Sequence, residues 1–210
     1  MWAMLPIVAS LMLAASPAPT AQSLAAAAPD LPRPLAELAL KAYARARERG
    51  DVKRDVLAVI DYSRPSTEKR LWVFDLDSGA LLFHELVAHG RGSGDNLATR
   101  FSNRPHSLSS SLGLYATGDT YLGKHGTSLK LLGLEPGVND QAEPRAVVIH
   151  GAEYVSDAFA KVHGRLGRSW GCPAVAATIA PKLIDALRGG AAVFAYYPDA
   201  TWLSHSAFLN

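Results

Sequence analysis

The chain holds one cysteine, Cys172, in the run Gly167-Arg168-Ser169-Trp170-Gly171-Cys172-Pro173. Upstream, an apolar run, Ala146-Val147-Val148-Ile149, ends in His150-Gly151. A thiol and an imidazole suffice for nucleophilic acyl transfer. The attacking species is the thiolate, a free thiol is mostly protonated near neutral pH, and a neighbouring base must take its proton. Cys172 is the candidate nucleophile and His150 the candidate base. Gly171 lets backbone approach a substrate closely, and Pro173 suits the first turn of a helix. The spacing therefore predicts a helix from about Ala174 to Leu187, with Cys172 at its N-terminus. There the unpaired N–H groups and partial positive charge would favour a thiolate and hold an oxyanion. The plain alternative is a small apolar cysteine buried in a core.

The elements that must position these groups change period along the chain. Leu35, Leu38, Ala39, Ala42 and Ala46 recur at helical spacing, and Gly50 is a fitting stop for that helix. From Val56 the pattern becomes strand-like: Val56–Asp61, Arg70–Asp75 and Ala80–Ala88, with Asp77-Ser78-Gly79 as the turn between the last two. Residues 89–105 are rich in Gly, Ser, Asn and Arg and form a long loop of a functional kind. Leu112–Ala116, Leu129–Leu134, Ala146–His150 and Ala191–Tyr197 read as further strands, separated by Gly-rich links. Ser156 is a fitting N-cap for a short helix to His163. The expected fold is mostly β with a few helices, an α+β class.

Composition narrows the class. The net charge of +2 over 210 residues is mixed along the chain and argues against a nucleic-acid partner. Residues 1–28 lack charged side chains and carry a short apolar core, Leu5 to Ala15, followed by small residues. They read as a secretory signal peptide, too short for a membrane-spanning helix, with a retained anchor as the alternative. Small residues at Ser16-Pro17-Ala18 and at Ala25–Ala28 both offer cleavage points. Residues 29–55 read as spacer and N-terminal helix, with Ala18 to Pro34 as flexible linker, and residues 56–210 as the catalytic domain. The protein is expected to be exported. A lone cysteine cannot form an internal disulfide, so in an exported chain it is a reactive or an intermolecular thiol. His84, His89, His106, His125 and His163 are scattered without metal-ligand spacing, so neither metal nor other cofactor is expected.

Ile149-His150-Gly151 followed by Ser169-Trp170-Gly171-Cys172 resembles the L,D-transpeptidases with a YkuD-type catalytic domain. The Gly-Cys-Pro-Ala ending resembles the second YkuD-like branch, the murein L,D-transpeptidase catalytic domain proteins. So do His89-Gly90-Arg91-Gly92-Ser93, Phe101-Ser102-Asn103, Ser110-Ser111-Leu112-Gly113, Tyr121-Leu122-Gly123-Lys124-His125-Gly126 and the residues from His150 to Val155. The resemblance covers roughly Val56 to Tyr197. It implies a YkuD-like β-sandwich or barrel-like catalytic domain that joins peptidoglycan stem peptides, donor and acceptor, through a cysteine acyl-thioester, and it places the exported chain in the periplasm or at the cell wall. It implies Ser169 as the organiser of the cysteine turn, the N–H groups of Gly171 and Cys172 as oxyanion donors, a backbone carbonyl as a sufficient partner for His150, and susceptibility to carbapenem-type inhibitors.

One departure is plain. The common branch carries an arginine shortly after the cysteine, whereas Pro173 and Ala174 follow here. Charge for a substrate carboxylate must come from Arg168, Arg165 or Arg91. Tyr121, Trp170 and Gly151 are the other expected substrate contacts, with packing the alternative for Trp170 and the tyrosines. Three functional alternatives stay open: an L,D-carboxypeptidase, another cysteine amidase of the wall, and a wall-binding domain without catalysis. The order His before Cys argues against a papain-like enzyme.

Overall fold

The computed structural model describes residues 19–210. Two helices, α1 (Ala21–Ala27) and α2 (Arg33–Glu48), precede strands β1 (Val56–Asp61), β2 (Leu71–Asp75), β3 (Leu81–Glu85), β4 (Gly113–Gly123), β5 (Gly126–Gly133) and β6 (Val148–Ala152). Then follow α3 (Asp157–His163), β7 (Ala174–Ala176), α4 (Ala180–Leu187), β8 (Ala192–Tyr196) and α5 (Ala200–His205). The eight strands form one sheet in the order β3-β2-β1-β8-β4-β5-β6-β7. Its edges meet: Ala88, just after β3, bridges Ala174 of β7, and its N–H reaches the Ala174 carbonyl at 2.8 Å. The sheet is thus closed into a near-barrel at a seam two residues beyond Cys172.

The centre of the sheet follows from its composition. Every residue of β1, Val-Leu-Ala-Val-Ile-Asp, is buried, as befits a strand covered on both faces. It pairs with β2 antiparallel and with β8 in parallel. On one side lies α2, whose buried face is Leu35, Ala36, Ala39, Ala42 and Ala46; four alanines allow a close approach. Its charged face carries Arg47–Asp55 and Arg33–Glu37 ion pairs. Helix α4 supplies Leu183, Ile184 and Leu187 to the same core. The stretch expected as linker carries α1, and Leu24, Ala28 and Leu31 are all in the core. Of the expected leader, residues 1–18 lie outside the described residues; no helix among the described residues is long and apolar enough to cross a membrane.

Three departures from the sequence reading move the site. The expected helix after Cys172 is instead the short strand β7, then a turn, with α4 beginning only at Ala180 and holding Pro181 in its first turn. Cys172 is therefore not at a helix N-terminus. Ala174-Val175-Ala176 is apolar without a period, and its partner strand decided its conformation. Strand β6 runs two residues further than expected, so His150 lies mid-strand, between Ser128 of β5 and Ala174 of β7. Finally, the Gly-rich links from Gly118 to Gly126 belong to a long β4–β5 hairpin. Its outer half, Asp119 to Leu122, is exposed and lacks the apolar alternation that marks a strand. The short helix α5, capped by Asp199, was not expected from the sequence.

Candidate active site

Parallel pairing of β6 with β7 brings His150 beside Ala174 and so places the Cys172 turn against it. Both side chains line one cavity of about 430 Å³. His150 is buried, at 5% exposure. Its Nδ1 lies 2.9 Å from the Gly151 carbonyl oxygen. A carbonyl only accepts, so Nδ1 carries the proton and Nε2 is the basic nitrogen. No carboxylate is needed to fix that tautomer. Burial holds the imidazole below the usual histidine range, and the neighbouring His125 and Lys124 push the same way. The ring of His125 stacks on it at 4.7 Å between centroids.

Cys172 is half-buried. Its Sγ accepts from the Val148 N–H at 3.5 Å, and the thiol donates to the Ala146 carbonyl at 3.7 Å. Ala146 presents that carbonyl from a left-handed backbone, φ 54°, a conformation few non-glycine residues adopt. Burial pushes the thiol up, while the Val148 N–H and the Arg145 guanidinium pull it down. The resting pair is thus a thiol beside a neutral imidazole, the state from which a base can take the proton as substrate arrives.

Ser169 closes the cysteine turn on itself. Its hydroxyl donates to the Cys172 carbonyl at 2.6 Å and accepts from the Gly171 N–H at 3.1 Å. The Gly171 N–H is therefore spent on Ser169 and is not a free oxyanion donor. The Cys172 N–H, which lies against its own sulfur, is the one that remains. Gly171 has a different importance. At φ 127° a Cβ would stand 2.8 Å from the Ser109 carbonyl and 3.2 Å from Arg145 Nη2. Only glycine fits.

The expected substrate contacts divide. Arg168, Trp170 and Tyr121 line the cavity. Arg168 gives Nη1 to Asp95 at 2.6 Å and to the Gly94 carbonyl at 3.1 Å. Trp170 is 70% exposed, so it does not pack; Lys124 Nζ sits 5.8 Å from its ring centroid. Arg165, Arg91 and Gly151 stay outside. Arg165 caps the Leu166 carbonyl. Arg91 meets the site through its N–H on the Ser169 carbonyl, with its side chain in solvent. Gly151 faces the turn before α4, where a Cβ would touch Ala180 and Ala177, and serves the site through its carbonyl. Tyr115 is core, its hydroxyl on the Ser111 carbonyl, whereas Tyr154 lines the cavity.

Of three further cavity residues, Arg145 carries no signal in the sequence, and Lys124 and His125 stand there only within the Tyr121–Gly126 motif of the resemblance, with no role attached. Arg145 stands in a polar stretch before an apolar run. Lys124 and His125 occupy a Gly-bounded hairpin tip and are brought in by the length of β4 and β5. Beneath the site, fully buried Arg70 donates to the carbonyls of Val87 and Arg64 and to Nδ1 of His89 at 2.8 Å. The His89 carbonyl in turn accepts from the Ser169 N–H at 3.0 Å, so this buried pair anchors the cysteine turn. Among the described residues, no three His, Cys, Asp or Glu side chains gather as metal ligands would.

Residues 27–196 match the family described as the L,D-transpeptidase catalytic domain of YkuD type, and the chain belongs to that family. No curated protein matches it. Solved structures similar to the chain include an L,D-transpeptidase from Mycobacterium smegmatis, at 14% identity over 68% of this chain and 59% of that one, TM-score 0.40. Another is the L,D-transpeptidase LdtMt1 in complex with imipenem, at 14% identity over 67% and 58%, TM-score 0.41. A third is the helical cell shape determining protein Pgp2 of Campylobacter jejuni, at 17% identity over 78% and 56%, TM-score 0.44. The chain thus spans less than two thirds of the length of each of these three.

Proposed function

We propose that this chain is an exported L,D-transpeptidase that cross-links peptidoglycan stem peptides, with Cys172 as nucleophile and His150 as base. The observation that carries the reading is a single thiol and a carbonyl-oriented neutral imidazole lining one cavity, in a chain of the L,D-transpeptidase catalytic domain family. His150 Nε2 takes the thiol proton as Sγ attacks the donor amide carbon. The Cys172 N–H meets the developing oxyanion. The C–N bond to the terminal D-amino acid breaks, and His150 returns the proton to the leaving amine. An acceptor amine then gives its proton to His150 and attacks the thioester; a C–N bond forms, the C–S bond breaks, and the thiolate recovers the proton.

The cavity wall suits a donor that carries carboxylates. Lys124, Arg145 and Arg168 line it, without an Asp or Glu. Arg168 commits Nη1 to Asp95 and the Gly94 carbonyl and keeps Nη2 for a ligand, and Lys124 lies over the Trp170 ring without a carboxylate partner among the described residues; these two cations are the proposed carboxylate contacts. Carbapenem acylation of Cys172 is the corresponding inhibitor reaction. Export implies a leader cut near Ser16-Pro17-Ala18, because the later option at Ala25–Ala28 would remove the buried Leu24.

Intact mass spectrometry of the chain incubated with purified disaccharide-peptide stems tests the reading, alongside Cys172→Ala. Dimers with loss of a terminal residue, absent in the variant, are expected. Shortened monomers without dimers would reassign the chain as a carboxypeptidase. Turnover retained in Cys172→Ala would overturn the assignment.

A further inference from the structure

Without a helix N-terminus behind it, the Cys172 turn needs another source of positive charge to hold a thiolate. We propose that Arg145 is that source, and that the Phe101–Ser111 strap exists at this point to fix its guanidinium beside the thiol. The inference rests on the reading of Cys172 as nucleophile.

The geometry is specific. Arg145 lines the same cavity as Cys172, and its Nη2 lies 3.2 Å from where a Gly171 Cβ would stand. All four Nη protons are committed to the strap. Nη1 donates to the Ser102 carbonyl at 2.8 Å and to Ser111 Oγ at 2.7 Å. Nη2 donates to the Ser109 carbonyl at 2.6 Å and to Ser107 Oγ at 3.3 Å. These acceptors are all neutral; no carboxylate pairs with Arg145 at salt-bridge distance among the described residues. Its charge is therefore uncompensated locally, and with its forked donors consumed it is poorly placed to grip a substrate carboxylate. What is left is its field on the groups around it that can become anions, and of these, Tyr115 and Cys172, only Cys172 lines the cavity with it. A half-buried cation beside a half-buried thiol favours the thiolate.

The strap is itself built around this contact. The Ser110 N–H donates to Ser93 Oγ, and Ser110 Oγ donates to the Gly171 carbonyl, both at 3.0 Å. Ser109 thereby passes against Gly171, and the glycine gap is filled by the Ser109 carbonyl and the guanidinium.

Because Cys172 is the chain's only cysteine, its titration is directly readable as the pH dependence of iodoacetamide alkylation of the full chain. Arg145→Met is expected to move the midpoint up by about one pH unit, which is about tenfold slower alkylation below both midpoints. Arg145→Lys keeps the charge and should stay within about threefold of the parent. Ser111→Ala, which removes one strap bond and no charge, should leave the midpoint in place. Should Arg145→Met not fold by circular dichroism, Arg145→Gln is the second neutral variant. An unmoved midpoint in a folded neutral variant would overturn the proposal. An equal shift in Ser111→Ala, or failure of both neutral variants to fold, would assign Arg145 a purely structural role. The readout needs no stem peptide, so it fails or succeeds independently of the transpeptidase assignment.

Discussion

The two walls of the Cys172 cavity are built on opposite principles. The floor, where the loop from His89 to Ser111 crosses the cysteine turn, is buried and saturated with hydrogen bonds. Gly90 lies so close that a Cβ there would meet the Leu108 carbonyl at 2.3 Å and the Gly171 Cα at 2.7 Å. The roof is the tip of the β4–β5 hairpin. Leu122 is 85% exposed there, and Tyr121 42%. Two contacts cross from the tip to the floor, His125 on His150 and Lys124 over Trp170. A single wall with one job would be uniform. On the proposed function, the difference assigns placement of the thiol and imidazole to a fixed frame and contact with the substrate to a lightly tethered edge.

The comparison stands or falls first on the floor. Cys172→Ala should lower acylation by at least about 10³-fold with the fold intact, and His150→Ala by about 10²- to 10⁴-fold. Carbapenem adduct formation followed by intact mass checks both. Gly171→Ala keeps both groups yet places a methyl against the Ser109 carbonyl at φ 127°. It should cost about 2–4 kcal/mol in chemical denaturation and slow acylation together. A variant as stable and as active as the parent would show that the floor yields, and the contrast with the roof would disappear.

The floor also predicts a pH dependence. Buried His89 is held down to about 4, chiefly by burial and then by Arg70. The unfolded chain binds a proton near 6.5 that the folded chain refuses. Stability from this residue is therefore fully present above about pH 6.5 and is lost as pH falls toward about 4, by on the order of 2–3 kcal/mol. Denaturant midpoints between pH 7 and pH 4 should fall in the parent and fall less in His89→Gln. An unchanged slope in that variant would remove His89 from the account.

How much of this was readable in the sequence follows the same division. α2 announces itself by its helical apolar period, and β1, β2 and β8 by continuous apolar runs, because burial on both faces wrote those runs. Cys172 and His150 were singled out as candidates through residue type and glycine context, and Ser169 only through the family resemblance. The strand after Cys172 was misread as helix because Ala174-Val175-Ala176 has no period, and its pairing with β6 is non-local. The hairpin tip was read as a set of links because solvent-facing strand carries no apolar signal. Arg145 was invisible for a different reason: its acceptors are mostly backbone carbonyls and serine hydroxyls some forty residues away, and no local pattern encodes such a contact. Arg91 and Arg165 show the converse. They have the right charge and proximity in sequence, but the Gly90–Ser169 bridge brings only the Arg91 backbone to the site.

The roof should respond weakly and in a different parameter. Lys124 is exposed and meets the floor through the face of Trp170, its charge being the last and smallest of the influences on His150. Removing it leaves the Ser169 turn, the Gly151 carbonyl and the Arg145 strap untouched. If it holds a donor carboxylate equally in ground and transition states, Lys124→Ala should raise KM about three- to tenfold with kcat nearly unchanged. The rise should shrink with added salt, as expected for an exposed charge. Trp170→Ala should raise KM in the same direction by less, since it takes away the partner and leaves the cation. A fall in kcat with KM constant would instead mean that the tip helps to place Cys172 or His150, through the His125 stack. Roof and floor would then be one frame, and the division between them would be wrong.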